Sequence, residues 1–75
     1  MTKHDLLDYL AAAGSADAMD VADAFGIAYA TAAMALMRLA RQGLVRRYVD
    51  ADDAVYFYEL SERGHARLAF LQNNR

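Results

Sequence analysis

One stretch, from Gly26 to Val45, constrains the fold more than any other because it predicts a helix with a sharp end. Small and apolar residues recur there at spacings of four, three and four, which places them on one stripe of an α-helix: Ala32, Leu36, Leu39 and Gly43. Gly43 also stands where a helix needs a left-handed C-terminal residue, and an extended segment follows. We therefore predict a helix over residues 29–42 that is buried along this stripe.

The face opposite this stripe mixes arginines with apolar residues. It holds Ala30, Met34, Met37 and Arg41, with Thr31 and Arg38 along one edge. Exposed arginines on a helix are suited to contact DNA phosphates or guanine bases. Exposed methionines are instead suited to adaptable contacts with another protein. The same face therefore supports two hypotheses, a DNA-reading helix and a protein-docking helix.

Two shorter helical patterns precede this helix. Thr2 begins the first, over residues 2–13, and Asp17 begins the second, over residues 18–25; each has an aspartate three residues later, as in a capping box. Gly26 then makes a tight turn into the third helix. The second and third helices are therefore predicted to form a helix–turn–helix.

After the third helix the pattern changes from helical to extended. Residues 44–49 and 54–60 have the composition of strands, with an aspartate-rich turn between them, and together predict a β-hairpin. Ser61 caps a last helix over residues 61–72. The sequence thus predicts one α+β domain over residues 1–75, with a winged helix–turn–helix order of elements.

The residues expected to face inward lie on one side of each element. They are Leu6, Leu7, Leu10, Ala13, Val21, Ala22, Phe25, Tyr58, Leu60, Gly64, His65, Leu68 and Leu71. Much of the remaining apolar content is alanine, which adds little buried area, so the core is thin and a partner subunit is expected. Ala66 and Phe70, on the far side of the last helix, are the predicted seam of a homodimer.

Charge is distributed unevenly along the chain. The formal net charge is −2, whereas DNA-binding domains are usually basic. Between Asp23 and Asp50, however, there is no acidic residue, and four arginines stand there: Arg38, Arg41, Arg46 and Arg47. The positive charge is therefore gathered on the third helix and the strand after it.

The composition argues against several classes of site. None of the 75 residues is a cysteine, so disulfides and cysteine-bearing zinc sites are excluded. His4 and His65 have no second histidine or cysteine at ligand spacing, and no nucleophile–base–acid set or phosphate-binding glycine loop is present. No apolar run approaches the length of a membrane span, and the first residues do not resemble a signal peptide. We expect a cytoplasmic protein that is not an enzyme, does not enter membranes and uses no metal or cofactor.

Four motifs resemble those of winged helix–turn–helix transcriptional regulators. Residues 21–27 (Val-Ala-x-x-Phe-Gly-Ile) are similar to the second helix of bacterial and archaeal members. Within residues 31–39, Thr-Ala followed by Leu-x-Arg-Leu is similar to their third helix, and residues 43–47 (Gly-Leu-Val-x-Arg) to the entry of their wing. Residues 58–64 (Tyr-Glu-Leu-Ser-Glu-Arg-Gly) resemble the strand-to-helix junction of regulators of the MarR and PadR type. The resemblance covers essentially the whole chain.

This resemblance implies a small transcriptional regulator that binds double-stranded DNA as a homodimer, with specific or semi-specific sequence choice. The third helix would enter the major groove, and the hairpin, called the wing, would touch the DNA backbone. The residues implied to contact DNA are Tyr29, Ala30, Thr31, Ala33, Met34, Met37, Arg38 and Arg41 on the helix and Arg46 and Arg47 on the wing. Because Arg46 and Arg47 are adjacent on a strand, only one of them is expected to point at a given groove.

Two features differ from the family pattern. Ala28 precedes the third helix where the family often has serine or threonine, so one phosphate-binding hydroxyl is missing. The expected wing tip carries Asp50, Asp52 and Asp53, which phosphates repel, so the tip is not expected to enter a minor groove. The alternative to DNA binding is a winged-helix module that binds a protein partner through the Met34 and Met37 face.

Overall fold

The computed structural model describes residues 1–52 and 54–74. In chain order, its elements are α1 (Lys3–Ala13), β1 (Ala16–Asp17), α2 (Ala18–Phe25), α3 (Tyr29–Arg41), β2 (Val45–Asp50), β3 (Val55–Leu60) and α4 (Glu62–Asn73). The predicted α+β class and winged helix–turn–helix architecture are confirmed, since α2 and α3 form the helix–turn–helix and β2 and β3 form the wing.

Short-range signals fix where α1 and α2 begin. Thr2 and Asp5 form a capping box, because the side chain of each accepts a hydrogen bond from the backbone N–H of the other. Hydrogen bonds from the Thr2 backbone N–H, and then from the Thr2 side chain, lower the pKa of Asp5. Asp17 and Asp20 form the same arrangement at α2. These two pairs satisfy backbone N–H groups that a helix otherwise leaves without partners.

The core lies between the helices and one face of the sheet. Ala32, Leu36 and Leu39 of the α3 stripe are buried as predicted, and so are Tyr58 and Leu60 of β3, whereas Gly43, beyond the end of α3, is exposed. The largest fully buried side chains are Leu7, Leu10, Val21, Leu36 and Leu44. The burial that defines the fold therefore comes mostly from leucines contributed by α1, α3 and the start of the wing.

Two further residues predicted to lie inside are also exposed, Ala13 and His65. Ala13 is the last residue of α1, and the chain turns away at Gly14 before another element covers it. His65 follows Gly64 by one residue, about 100° further around α4. It therefore leaves the buried line formed by Gly64 and Leu68 and points to solvent.

The sheet contains one strand that the sequence does not predict. Its order is β1–β3–β2, with both pairs antiparallel. Residues 15–17 read as a connector, but Ala16 pairs with Tyr58 and Asp17 with Phe57. Two residues are too few to show an alternating pattern, so only the partner strand reveals this pairing.

The base of the wing is fastened to α3 and α4 by hydrogen bonds. The Ser61 backbone N–H donates to the Leu44 carbonyl at 3.0 Å, and the Ser61 hydroxyl donates to the Gly43 carbonyl at 2.6 Å. The same hydroxyl accepts the Gly64 backbone N–H at 3.0 Å and so caps α4. A Cβ at Gly64 would collide with the Leu44 carbonyl oxygen, so glycine permits this close approach. The direction of the wing relative to α3 is therefore set at its base.

Among the described residues, no single helix is long and apolar enough to cross a membrane. Only α2 and α3 taken together reach that length and composition, and they meet at a bend of 117°.

Candidate nucleic-acid interface

The outer face of α3 is open to solvent. Six of the residues expected to contact DNA are exposed along it: Ala30, Thr31, Met34, Met37, Arg38 and Arg41. No acidic residue stands between Asp23 and Asp50, so α3 itself carries no carboxylate. Ala28 takes the N-cap position and makes no side-chain hydrogen bond to the first turn. The face therefore offers positive charge, apolar contact area and first-turn N–H groups without a side-chain cap.

One flank of α3 faces the wing. Ala33 and Met37 line a groove of about 390 Å³ with Arg47, and Tyr29 lies in the same lining. Tyr29 is 57% exposed at the first position of the helix. The structure thus brings three of the expected α3 residues together with one arginine of the wing.

The other flank of α3 faces the beginning of α1. Arg38 lines a second groove there, with Lys3 and Gln42 in the same lining. Arg38 and Arg41 are three residues apart, so they are neighbours on the helix surface, but they border different grooves. The positive charge of α3 is therefore spread over two flanks instead of forming one ridge.

The adjacent wing arginines lie on opposite faces of the hairpin. Arg46 pairs in register with Glu59, and its Nη2 lies 3.1 Å from the Glu59 Oε1 in an exposed ion pair. Arg47 pairs in register with the buried Tyr58 and lies on the face that looks toward α3. Its Cζ lies 4.4 Å from the centre of the Tyr56 ring, a cation–π contact. Of the two, Arg47 is the one on the same side of the wing as α3.

Arg47 and Arg41 border one shallow depression. It measures about 250 Å³, and its other lining residues are Met37 and Ala40. None of these four residues carries a negative charge, so two guanidinium groups face the same space without a carboxylate among its lining residues. Such an arrangement is favourable for an anion.

The wing tip carries negative charge. Asp52 is exposed, and its backbone N–H donates to the Asp50 carboxylate at 2.9 Å. The turn is closed by a hydrogen bond of 2.8 Å from the Ala54 backbone N–H to the Asp50 carbonyl. Asp53, the third expected carboxylate, lies outside the described residues. The two described aspartates place acidic groups at the end of the wing furthest from its base.

The predicted dimer seam lies on the exposed side of α4. Phe70 is 59% exposed, and Ala66 is exposed one turn before it. Arg63, Arg67 and Leu71 border the same shallow surface. The structure therefore leaves an aromatic side chain uncovered on this helix, surrounded by positive charge.

Two residues near the arginines are missed by sequence reasoning. Lys3 belongs to α1, and only the tertiary fold places it in the same groove as Arg38. Tyr56 stands nine residues after Arg47, and only the hairpin register brings the two together. The register of a hairpin follows from the length of its turn. A sequence signal that fixed the turn length would therefore have predicted that Tyr56 lies near Arg47.

A sequence model of the MarR family matches residues 1–54, which is most of this chain. A comparison with curated protein sequences gives no match.

Solved structures of regulators superpose on nearly the whole chain. A MepR-like protein complexed with pseudoligands has a TM-score of 0.91 and 30% identity. The match covers 97% of this chain and 52% of the MepR-like chain. A mutant of S. aureus MepR bound to an oligodeoxyribonucleotide has a TM-score of 0.88 and 27% identity. The match covers 95% of this chain and 54% of the MepR chain. A mutant of E. coli MarR complexed with operator DNA has a TM-score of 0.87 and 17% identity. The match covers 95% of this chain and 51% of the MarR chain. This chain spans about half the length of each of them.

Proposed function

Because the chain belongs to the MarR family of transcription regulators, we propose that it binds double-stranded DNA with α3 in the major groove. The observation that carries this proposal is the exposed outer face of α3, which bears two arginines and no carboxylate. The similarity to S. aureus MepR, whose structure contains an oligodeoxyribonucleotide, supports it. The negative net charge of −2 does not oppose it, since the acidic residues lie elsewhere in the chain.

Affinity would come mainly from arginine contacts with phosphates. Arg38 and Arg41 border grooves on two sides of α3, and Arg47 borders the same depression as Arg41 from the wing, so together they would contact the DNA backbones beside the major groove that α3 enters. Arg46 would first have to leave Glu59, although an exposed ion pair of this kind is weak. We therefore assign the main phosphate contacts to Arg38, Arg41 and Arg47, and a smaller part to Arg46.

The preference for particular DNA sequences would come from the outer face and the first turn of α3. Thr31 and Tyr29 carry hydroxyl groups that donate to or accept from base edges. Ala30, Ala33, Met34 and Met37 offer apolar contact to thymine methyl groups but no hydrogen-bond pattern. This composition favours a modest preference for particular sequences over strict discrimination.

We also propose that the protein acts as a homodimer in the cytoplasm, where a bacterial-type regulator meets its DNA. The uncovered Phe70 and Ala66 support a seam on α4. A dimer would bind half-sites about one helical turn of DNA apart. Phe70→Asp should shift the light-scattering mass toward the monomer, whereas Met19→Asp, a matched change of an exposed apolar residue on α2, should not. An unchanged mass for Phe70→Asp would move the seam elsewhere.

The test of DNA binding is a fluorescence-polarisation titration of duplex DNA at several ionic strengths. If each subunit neutralises about three phosphates, the logarithm of the association constant of a dimer should fall with the logarithm of salt with a slope near −5. The double variant Arg38→Ala/Arg41→Ala should weaken binding by about ten-fold or more. Unchanged affinity of the double variant, with circular dichroism showing an intact fold, would falsify these assignments.

The second candidate function is binding of a protein partner through the same helix. Met34 is 55% exposed and Met37 36% exposed on the same helix face. Exposed apolar side chains that share a face are typical of a surface that binds another protein. Met37→Glu should weaken either complex, but only a DNA complex should dissolve as salt is raised. A partner complex that persists at high salt, together with no binding to duplex DNA, would favour this second function.

A further inference from the structure

We propose that Tyr56 positions Arg47 for a DNA phosphate, so that the face of the wing strands, rather than the tip, holds the DNA backbone. The proposal rests on the DNA-binding function above and assigns a role within it to a residue that neither the sequence motifs nor the family match singles out. In this scheme Tyr56 acts through Arg47 and is a positioning residue.

The hairpin register places the two side chains together. Arg47 stands opposite Tyr58 and Val49 opposite Tyr56, so Arg47 and Tyr56 are diagonal neighbours on one face of the antiparallel pair. Long and aromatic side chains reach each other across such a diagonal. The Arg47 Cζ accordingly lies 4.4 Å from the centre of the Tyr56 ring.

This contact leaves the hydrogen-bonding groups of Arg47 available. A guanidinium group that stacks on an aromatic ring uses its flat face, whereas its five N–H donors point outward in the plane. The ring also restricts the long side chain, so less conformational freedom remains to be lost when a phosphate binds. Arg46 provides the contrast, because its Nη2 is already directed to the Glu59 carboxylate at 3.1 Å.

Arg47 borders two grooves: Asp17 belongs to the lining of the larger one, whereas the shallow depression beside Arg41 suits a phosphate. Arg41 borders the same depression, and the two residues that complete its lining, Met37 and Ala40, are uncharged. A phosphate between Arg41 and Arg47 would link the C-terminal part of α3 to the base of the wing. The DNA strand beside the groove that α3 enters would therefore meet both elements at one point.

The negative charge of the wing tip also favours a phosphate contact near Arg47 over one at the tip. Asp50 and Asp52 stand at the end of the hairpin, where a phosphate would be repelled. Tyr56 is 51% exposed, so the ring is accessible beside the arginine and is not committed to the core. A backbone contact by this wing is therefore favoured on the strand face, near Arg47.

The experiment is a double-mutant cycle measured by fluorescence polarisation on one duplex. Tyr56→Leu removes the ring but keeps an apolar side chain, and Tyr56→Phe keeps the ring but removes the hydroxyl. Both are measured in the wild-type and the Arg47→Ala backgrounds. Tyr48→Leu is the matched control, since Tyr48 is 44% exposed and stacks on Phe57 on the opposite face of the hairpin.

We expect Tyr56→Leu to weaken binding by about two- to five-fold for each subunit bound, the range of an exposed cation–π contact. The same change should have no further effect when Arg47 is alanine. Tyr56→Phe should bind as wild type does, because the ring is what Arg47 contacts, and Tyr48→Leu should also be neutral. Thermal melts of each variant check that the fold is intact.

Three results would overturn the proposal. Wild-type affinity for Tyr56→Leu would remove the positioning role while leaving the DNA-binding function in place. An equal loss from Tyr56→Leu in both backgrounds would show that Tyr56 acts independently of Arg47. A loss for Tyr56→Phe as large as that for Tyr56→Leu would assign the effect to the hydroxyl. Failure of the wild-type protein to bind duplex DNA at any salt concentration would instead overturn the proposed function, and this inference with it.

Discussion

The two ends of the wing differ in what holds them and in the charge they carry. At the base, Val45 and Leu60 are buried, and Ser61 bonds to the carbonyls of Gly43 and Leu44. At the tip, Val49 is 54% exposed, and the described hydrogen bonds of the turn join residues of the turn itself. The base also carries the two arginines of β2, whereas the tip carries aspartates.

This difference explains where a DNA contact gains most from the fold. Burial of Val45 and Leu60 and the hydrogen bonds of Ser61 hold the base, which places Arg47 on the side of α3, whereas the described hydrogen bonds of the tip are local. Binding groups are effective when a rigid scaffold holds them in the productive geometry. The wing therefore presents its positive charge near its buried base and its negative charge at the exposed tip, and each prediction below perturbs one of these ends.

The largest effect on stability is expected from Gly64→Ala, which disrupts the contact of α4 with the base of the wing. Alanine favours a helix over glycine by about 1 kcal/mol, but its Cβ would collide with the Leu44 carbonyl oxygen. Overpacking of this kind costs about 1–3 kcal/mol or more, and the colliding atom is backbone that already accepts the Ser61 N–H. Because the clash is with backbone, we take its cost at the upper end, about 3 kcal/mol, so the net loss in the free energy of unfolding is about 2 kcal/mol, measured by urea denaturation.

Gly14→Ala is the control for Gly64→Ala. Gly14 has a φ of +84°, where alanine is strained by about 1–2 kcal/mol, but it meets no neighbouring atom, and the β1 strand that follows it pairs with Phe57 and Tyr58 and not with the base of the wing. Both variants should lose stability, and only Gly64→Ala should also weaken DNA binding under conditions where the fold persists. Equal DNA affinity of the two variants would mean that the position of the wing base does not matter for binding.

A smaller effect is expected from Ser61→Ala, which removes two hydrogen bonds from the same end. The hydroxyl caps α4 and bonds to the Gly43 carbonyl, so its loss should cost about 1–2 kcal/mol. Thr2→Ala removes a comparable cap from α1, away from the wing. Hydrogen exchange should show faster opening of the amide of residue 61, which donates to the Leu44 carbonyl, in Ser61→Ala than in Thr2→Ala. The same exchange rates in both variants would contradict a role of Ser61 in fastening the base.

Short-range signals in the sequence are enough to predict most of this fold. The aspartates three residues after Thr2 and Asp17 identify the starts of α1 and α2, because a capping box is formed within four residues. The spacing of Leu36 and Leu39 identifies the buried side of α3, because a helix repeats every 3.6 residues. Each of these features is decided by neighbours along the chain and needs no knowledge of packing.

The candidate site is less predictable because its contacts join distant parts of the chain. Arg46 and Arg47 look equivalent in the sequence, yet one faces Glu59 and the other Tyr56, and the hairpin register decides which. Lys3 lines the same groove as Arg38 only because the fold brings the beginning of α1 to one flank of α3. A charge count along the chain finds the positive segment but not which of its arginines share a surface.

A further prediction concerns the tip, where Asp52→Asn removes one negative charge. Since Asp52 is exposed and its described hydrogen bond uses the backbone N–H, stability should not change. Weaker repulsion of phosphates should raise DNA affinity about two-fold at low salt. Added salt should abolish the gain by screening. Asp8→Asn, an exposed change on α1, is the control, and an equal gain for both variants would show that net charge alone matters.

The smallest effect is expected from Glu59→Gln, which releases Arg46 near the base. The ion pair is exposed, with the Arg46 side chain 71% and the Glu59 side chain 37% accessible, so its loss should cost about 0.5 kcal/mol or less of stability. Once released, Arg46 gains freedom to reach a phosphate, so DNA affinity should rise slightly. Arg46→Ala should then weaken binding more in the Glu59→Gln background than in wild type, as measured by titrating the four proteins with one duplex. An equal effect of Arg46→Ala in both backgrounds would mean that the carboxylate does not restrain Arg46, and the contrast between the two faces of β2 would then rest on the Tyr56 contact of Arg47 alone.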